Sequence, residues 1–209
     1  MRHQIQILQN VVSRKGSSKI LTFSIPHVFK ALQLLDKDKF VSRSKFCEEL
    51  HLGEGAIKTL ILHLKDAKMI DTTKSGTFLT TKGKKFCQSL MQVIKGECKL
   101  GKCKITPEKY NHAIILKNYS NSIRTGLEQR DYAILYGSSG CTTLLYKNKK
   151  FVFPGEDKDC FSRDKESRTR LLENLSPEEG DVIIISSSAD PFVAEVSAKN
   201  SALWTLATS

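Results

Sequence analysis

Apolar residues recur at helical spacing in the first part of the chain and in short strand-length runs beyond it. Ile5, Leu8, Val11 and Val12 can line one face of a first helix. From Pro26, a favoured first-turn residue, Val28, Leu32, Leu34 and Leu35 mark a second helix, which Asp36-Lys37-Asp38-Lys39 ends. Phe46 and Leu50 are an i, i+4 pair on a short third helix that Gly53 is expected to break. Glu54 then opens a fourth helix with a carboxylate in its first turn, where the helix dipole favours it. Ile57, Ile61 and Leu64 form the buried stripe of that helix. After Met69-Ile70, the turn Lys74-Ser75-Gly76 joins two strand-compatible runs. Leu79-Thr80-Thr81-Lys82-Gly83 leads into a closing helix that carries Phe86, Leu90, Met91 and Ile94 and runs to Gly96.

Beyond that helix, Glu97 to Lys104 reads as a charged linker. His112 to Leu116 has the length of a strand. Thr125-Gly-Leu-Glu128 matches a capping box before a helix that reaches Tyr136 and stops at Gly137. Thr142–Tyr146 and Lys150–Phe153 flank Lys147-Asn148-Lys149 as a hairpin. Arg163 to Leu175 predicts an amphipathic helix, and Val182 to Ile185 a buried strand. Asp190-Pro191 caps and starts a last helix with Phe192, Val196, Leu203 and Trp204. The expected fold is a two-domain α+β or α/β chain. Residues 1–96 form a winged helix-turn-helix (helix, turn, helix and hairpin wing), 97–104 the linker, and 105–209 a small α/β domain with a mixed sheet.

Composition narrows the class. Of 209 residues 40% are hydrophobic, and no run approaches the ~18 apolar residues of a membrane span. Ile5 to Val12 is interrupted by Gln6, Gln9 and Asn10, a poor signal-peptide core, so a cytoplasmic protein with no membrane partner is expected. The six cysteines are then expected to remain thiols. The net charge of +11 is unevenly spread: residues 1–104 carry 20 basic and 8 acidic side chains, residues 105–209 carry 13 and 14. Positive charge gathered on the helix-turn-helix is the footprint of a phosphate-backbone binder. The basic loop Arg14 to Lys19 could add backbone contacts, although surface solvation explains such a loop as well.

In a helix-turn-helix the second helix enters the major groove. With Ile57, Ile61 and Leu64 inside, its outward residues are Gly55, Lys58, Thr59 and Leu62. Lys58 can donate to guanine or phosphate, and Thr59 can meet a base edge or a thymine methyl. Arg43, Ser44 and Lys45 begin the preceding helix, and Lys74 sits at the wing tip with Lys82, Lys84 and Lys85 following. Leu60 and Leu62 make this helix unusually apolar for a DNA reader, which leaves open a face that packs on protein.

Other chemistry has less support. Cys87, Cys98, Cys103 and His112 lack the close pairs of a zinc ribbon. Cys141 beside Gly137-Ser-Ser-Gly140 suggests a nucleophile on a turn with His112 as its base, but that order is not the Gly-x-Ser-x-Gly elbow, and the sequence does not place the base. No glycine cluster makes a phosphate loop. Accordingly, no catalytic residue, metal ligand or cofactor is assigned.

Three segments extend the comparison to a family: Leu52-Gly-Glu-Gly-Ala-Ile-Lys-Thr-Leu60, Phe78-Leu-Thr-Thr-Lys-Gly83 and Gly126-Leu-Glu-Gln-Arg-Asp131. With Gly140-Cys-Thr-Thr-Leu144 and Phe153-Pro-Gly155, the chain resembles archaeal winged-helix proteins with an uncharacterised C-terminal domain. The resemblance implies a transcriptional regulator and no assigned ligand. The expectation is therefore a regulator that binds double-stranded DNA as a homodimer. The alternatives are an adaptor that docks on the transcription or replication machinery, and a small enzyme with a DNA-tethering domain. A polar or anionic effector is expected where strands lead into helices. One such loop carries Asn118, Asn121 and Arg124; the other carries Ser186, Ser187, Ser188 and Asp190. Both lie on one sheet edge only if their strands are parallel.

Overall fold

The computed structural model describes residues 1–13 and 21–208, and the basic loop Arg14 to Lys19 lies outside them. The chain divides into two compact units, Met1–Leu90 and Met91–Ser209.

In the first unit, α1 (Arg2–Val11) buries Ile5, Leu8 and Val11, the spacing of one helical face. Helix α2 (Ile25–Lys37) begins at Ser24 with Pro26 in its first turn. The Ser24 amide donates to His27 Nδ1 at 3.4 Å, so that nitrogen is unprotonated. Burial first, and then Lys30 nearby, bring His27 down to about 4. Helix α3 (Arg43–Leu50) is capped by the Ser42 hydroxyl, which accepts from the Lys45 amide at 3.1 Å. It ends at His51 in the left-handed conformation, φ 52°, not at Gly53. Gly53 is instead the extended N-cap of α4 (Glu54–Asp66).

Strands β1 (Ile70–Thr73) and β2 (Gly76–Leu79) pair antiparallel, in the hairpin expected as a wing. Val41 adds a bridge to Thr77 through two 2.9 Å hydrogen bonds. Gly76, at φ 130°, leaves the space that this bridge occupies, because a Cβ there would lie 2.9 Å from the Val41 carbonyl. Helix α5 (Thr81–Met91) follows, its Gly83 amide capped by the Thr80 hydroxyl at 3.1 Å. It is shorter than expected: Ile94, assigned to this helix, begins the first strand of the next unit.

Gly83 lets α5 lie against the backbone before the wing, since a Cβ there would stand 2.0 Å from the Met69 carbonyl oxygen. Gly83→Ala is expected to destabilise the first unit by about 1–3 kcal/mol, the usual cost of overpacking. An unchanged urea midpoint would refute this reading of the contact.

The second unit is one five-stranded sheet in the order β3-β4-β7-β5-β6. Its strands are β3 (Ile94–Leu100), β4 (Tyr110–Leu116), β5 (Gly140–Lys147), β6 (Lys150–Val152) and β7 (Val182–Ser188). Every neighbouring pair is antiparallel, where a mixed sheet was expected. The physical reason is the place of β7. Strands β4 and β5 run the same way, joined through α6 (Leu127–Ile134), but β7 inserts between them, opposed to both. The two-domain α+β class holds; the strand order is what alternation of elements could not reveal.

The linker is also displaced. Glu97 to Leu100, read as linker, pairs with Asn111 to Ile114 as the outer strand of this sheet. Charge made the segment look like a connection, and an edge strand tolerates the same charge.

Helix α7 (Lys165–Leu175), capped by Asp164, packs on one sheet face with Ala113, Ile115, Leu144, Phe151, Ile183 and Ile185. Helices α6 and α8 (Pro191–Thr208) lie on the other. Polar pegs hold α6 to α8: Ser201 Oγ donates to the Gln129 carbonyl at 2.8 Å, and Asn200 Nδ2 to that of Tyr132 at 2.7 Å. Tyr132 stacks on Trp204 at 6.0 Å. The hairpin turn at Asn148-Lys149 has both residues at positive φ, as a two-residue turn demands. Among the described residues no helix is long and apolar enough to cross a membrane.

Candidate nucleic-acid interface

Helix α4 turns Ile57, Leu60, Ile61, His63 and Leu64 inward. The expected stripe is present and widened on one side, because His63 is held under α1: its Nδ1 lies 2.6 Å from the Val11 carbonyl and its ring meets Phe23 edge-on. Leu60 is therefore core, not part of an exposed apolar face. Gly55, Lys58 and Leu62 point outward, with Leu62 57% exposed. Thr59 is only half-exposed, and its hydroxyl donates to the Gly55 carbonyl at 3.0 Å.

The flanking cations divide into two groups. Arg43, Lys74, Lys84 and Lys85 are exposed, as is Ser44. Lys45 is tied to Asp38 at 2.7 Å; this hydrogen bond raises the lysine and lowers the carboxyl. Lys82 Nζ donates to the Ala67 carbonyl at 2.8 Å and so closes the C-terminus of α4. Two of the lysines expected on DNA thus have partners within the unit. Lys84 lines a cavity of about 410 Å³ with Lys37, Lys39, Phe40 and Phe78, a groove that the linear reading did not identify. The charge asymmetry survives redrawing at the observed boundary. Residues 1–90 carry 16 basic against 7 acidic side chains, and residues 91–209 carry 17 against 15.

The expected effector site does not assemble. Leu116 pairs with Val182 and Tyr110 with Ser188, so β4 and β7 are antiparallel and their following loops leave opposite edges of the sheet. Asn118, Asn121 and Arg124 are therefore separated from Ser186, Ser187, Ser188 and Asp190. The serines are buried. Ser187 Oγ accepts from the Glu108 amide at 2.9 Å, and Ser188 Oγ from the Asp190 amide at 3.2 Å. Asp190 Oδ1 accepts from the amides of Phe192 and Val193, a helix cap. The Asn118 amide donates to Asp181. Asn121 and Arg124 instead line a polar cavity of about 420 Å³ with Glu128, Tyr132 and Thr205. Helix α6 begins at Gly126, φ 81°, rather than through a capping box at Thr125.

A buried ionic cluster in the second unit was not foreseen. Lys199 on α8, wholly buried, meets Glu97 of β3 and also Glu195 at 3.4 Å. His112 Nε2 lies 3.1 Å from the same Glu97 oxygen. Burial by itself would raise Glu97, but the Lys199 ammonium and the His112 hydrogen bond outweigh it and hold the carboxyl below its ordinary range.

Cys141 and His112 do not form a nucleophile and base. Ser186 of β7 stands between them in the ladder, which separates them by two strand spacings, roughly 10 Å. Burial also pushes the Cys141 thiol up to about 12. Cys98 and His112 lie on adjacent strands, whereas Cys87 belongs to α5. Among the described residues no group of three or more His, Cys, Asp or Glu side chains is placed to hold a metal ion.

The two units are also separate in their likeness to known proteins. Residues 28–85 match the family model described as PH0730-like, N-terminal domain. Residues 107–206 match that of a domain of unknown function, DUF4443. No curated protein matches the chain. Among solved structures it is similar to the hypothetical protein PH0730 from Pyrococcus horikoshii OT3, at 27% identity, with 86% of this chain and 91% of that one covered and a TM-score of 0.70.

Proposed function

We propose that the first unit binds duplex DNA as a winged helix and that the protein is a cytoplasmic transcription regulator acting as a homodimer. The observation that carries this reading is the exposed row Gly55, Lys58 and Leu62 on α4, within a unit that holds most of the excess positive charge. Arg43 at the start of α3 and Lys74 at the wing flank that helix in sequence and are free of the structural duties that occupy Lys45 and Lys82. The second unit dimerises and senses a ligand; the polar cavity beside Arg124 and Glu128 suits a small charged effector. On this reading the chain carries out no reaction and needs no cofactor. The similarity to a Pyrococcus protein supports an archaeal type of regulator.

The test is titration of full-length protein against an enriched duplex and a scrambled one between about 50 and 200 mM salt, where phosphate contacts show strongly. Lys58→Ala is expected to cost about 1–3 kcal/mol on the enriched site and to relax its preference. Lys74→Ala is expected to weaken both duplexes alike and reduce the salt slope by about one. Binding that ignores both substitutions would remove α4 and the wing from the DNA face.

The adaptor reading rests on a different observation. Leu62 stands exposed in the middle of α4, where many DNA readers carry a polar side chain. If Leu62→Gln leaves duplex affinity intact but abolishes a protein contact, α4 is a docking helix.

A further inference from the structure

The groove that Lys84 lines is walled by the end of α2, strand β2 and α5, not by α4. Its aromatic wall is fixed by the backbone. Val41 and Thr77 bridge antiparallel through two 2.9 Å hydrogen bonds, so Phe40 before the one and Phe78 after the other oppose each other. Their rings meet edge-on, with centroids 5.8 Å apart and planes at 70°, and Phe40 remains 38% exposed. Cations surround this pair. Lys39 Nζ stands 5.6 Å from the Phe40 centroid, Lys37 is the last residue of α2, and Lys84 comes from α5; all three are exposed. The one carboxylate on the described walls is Asp36, while Asp38, two residues on, is neutralised by Lys45 at 2.7 Å.

We infer that this groove binds single-stranded nucleic acid, with one unstacked base against the Phe40–Phe78 pair and the adjoining phosphates on Lys37, Lys39 and Lys84. The occupant has to offer a flat apolar surface and negative charge close together. An aliphatic peptide supplies the first without the second, and an acidic peptide or inorganic anion the second without the first. A nucleotide supplies both. A volume of about 410 Å³ lies at the lower end of small-ligand cavities, the size for one nucleotide unit rather than a stack of bases. A strand is favoured over a free nucleotide because the unit around the groove is itself basic, 16 side chains against 7 acidic, and can hold the phosphates that follow. Asp36 and Gln88 complete the lining with groups that hydrogen-bond a base edge, the carboxylate accepting from the exocyclic amine of cytosine. Bases of a duplex stay stacked and paired, so the inference goes beyond the α4 reading and does not rest on it.

The test is isothermal titration of full-length protein with a short oligodeoxycytidylate and with an abasic strand of the same length, which keeps the phosphates and lacks the bases. The cytidylate is expected to bind roughly tenfold tighter, the gain from one base–aromatic contact. Phe40→Leu keeps an apolar side chain without a ring and is expected to remove that difference, whereas Phe40→Tyr retains it. Lys39→Gln and Lys84→Gln are each expected to weaken both strands and to lower the salt slope by about 0.7. The enriched duplex is a separate readout: Phe40→Leu is expected to leave its affinity at the wild-type level, and a duplex indifferent to Lys58→Ala tells only against α4. Equal affinity of wild type for the two single strands overturns the inference without any variant. So does a Phe40→Leu protein of wild-type melting temperature that still prefers the cytidylate. Free cytidine monophosphate binding as tightly as the strand overturns the strand as the ligand.

Discussion

Lys199→Met is expected to cost the second unit about 3–5 kcal/mol, because it leaves the Glu97 carboxylate largely buried without its ammonium partner. The packing volume is nearly conserved, so the loss comes from electrostatics rather than from a cavity. Glu97→Gln in the same chain should return part of the lost stability by removing one uncompensated carboxylate, while Glu195, which also pairs with Lys199 at 3.4 Å, still lacks its ammonium. Glu97 can still accept from His112 in the single variant, which places the cost toward the lower end. Trp204, the sole tryptophan, lies on α8 and reports this unit by fluorescence during urea unfolding. If the double variant is no more stable than Lys199→Met alone, the cluster is not coupled as its geometry implies.

Acidification acts on the other unit. His27 titrates at about 4 in the folded chain against an ordinary value of 6.5. Between those values the unfolded chain takes up a proton that the folded chain refuses. Its contribution is therefore complete above about pH 6.5 and falls away as the pH drops toward 4. After allowance for partial exposure the loss amounts to about 2–3 kcal/mol. The cause is burial of the ring first and the nearby Lys30 second; a protonated Nδ1 would in addition stop accepting from the Ser24 amide that starts α2. His27→Gln keeps an acceptor at the same helical position and should flatten the pH dependence. Circular dichroism follows this transition where Trp204 does not. An equal pH response in the two proteins would move the effect to other groups.

Much of this fold was legible in the sequence, and most of the failures have a common cause. The Ile57, Ile61 and Leu64 stripe, the wing hairpin, the Lys147–Lys150 turn and the Asp190 cap all rest on residues within one helical turn or one hairpin of each other. Apart from the Gly53 stop and the Thr125 capping box, which failed locally, the errors involve partners far away in the chain. Glu97 looks like linker charge until Lys199, more than a hundred positions on, supplies its partner. Lys82 looks like a phosphate contact because nothing nearby shows that it closes α4. His63 counts as polar in a pattern, yet α1 buries it. The two effector loops were joined by assuming parallel strands, and alternation of apolar residues says nothing about strand direction. Of the proposed DNA face, the outward positions of α4 could be read from helical periodicity alone, whereas the lysines committed to intramolecular bonds could not.

The central place of β7 sets the order in which the second unit can be completed. As the chain leaves the ribosome, β3 and β4 can close one hairpin and β5 and β6 another, each with an unpaired edge. The strand that joins them is the last to emerge, and α8, which supplies Lys199, follows it. Until then the nascent chain presents two open β edges and an unmatched Glu97, while the first unit already has every strand and helix it needs. Vectorial synthesis therefore releases a folded N-terminal unit tethered to two waiting hairpins, the interval in which edge-to-edge association between neighbouring chains is most favoured.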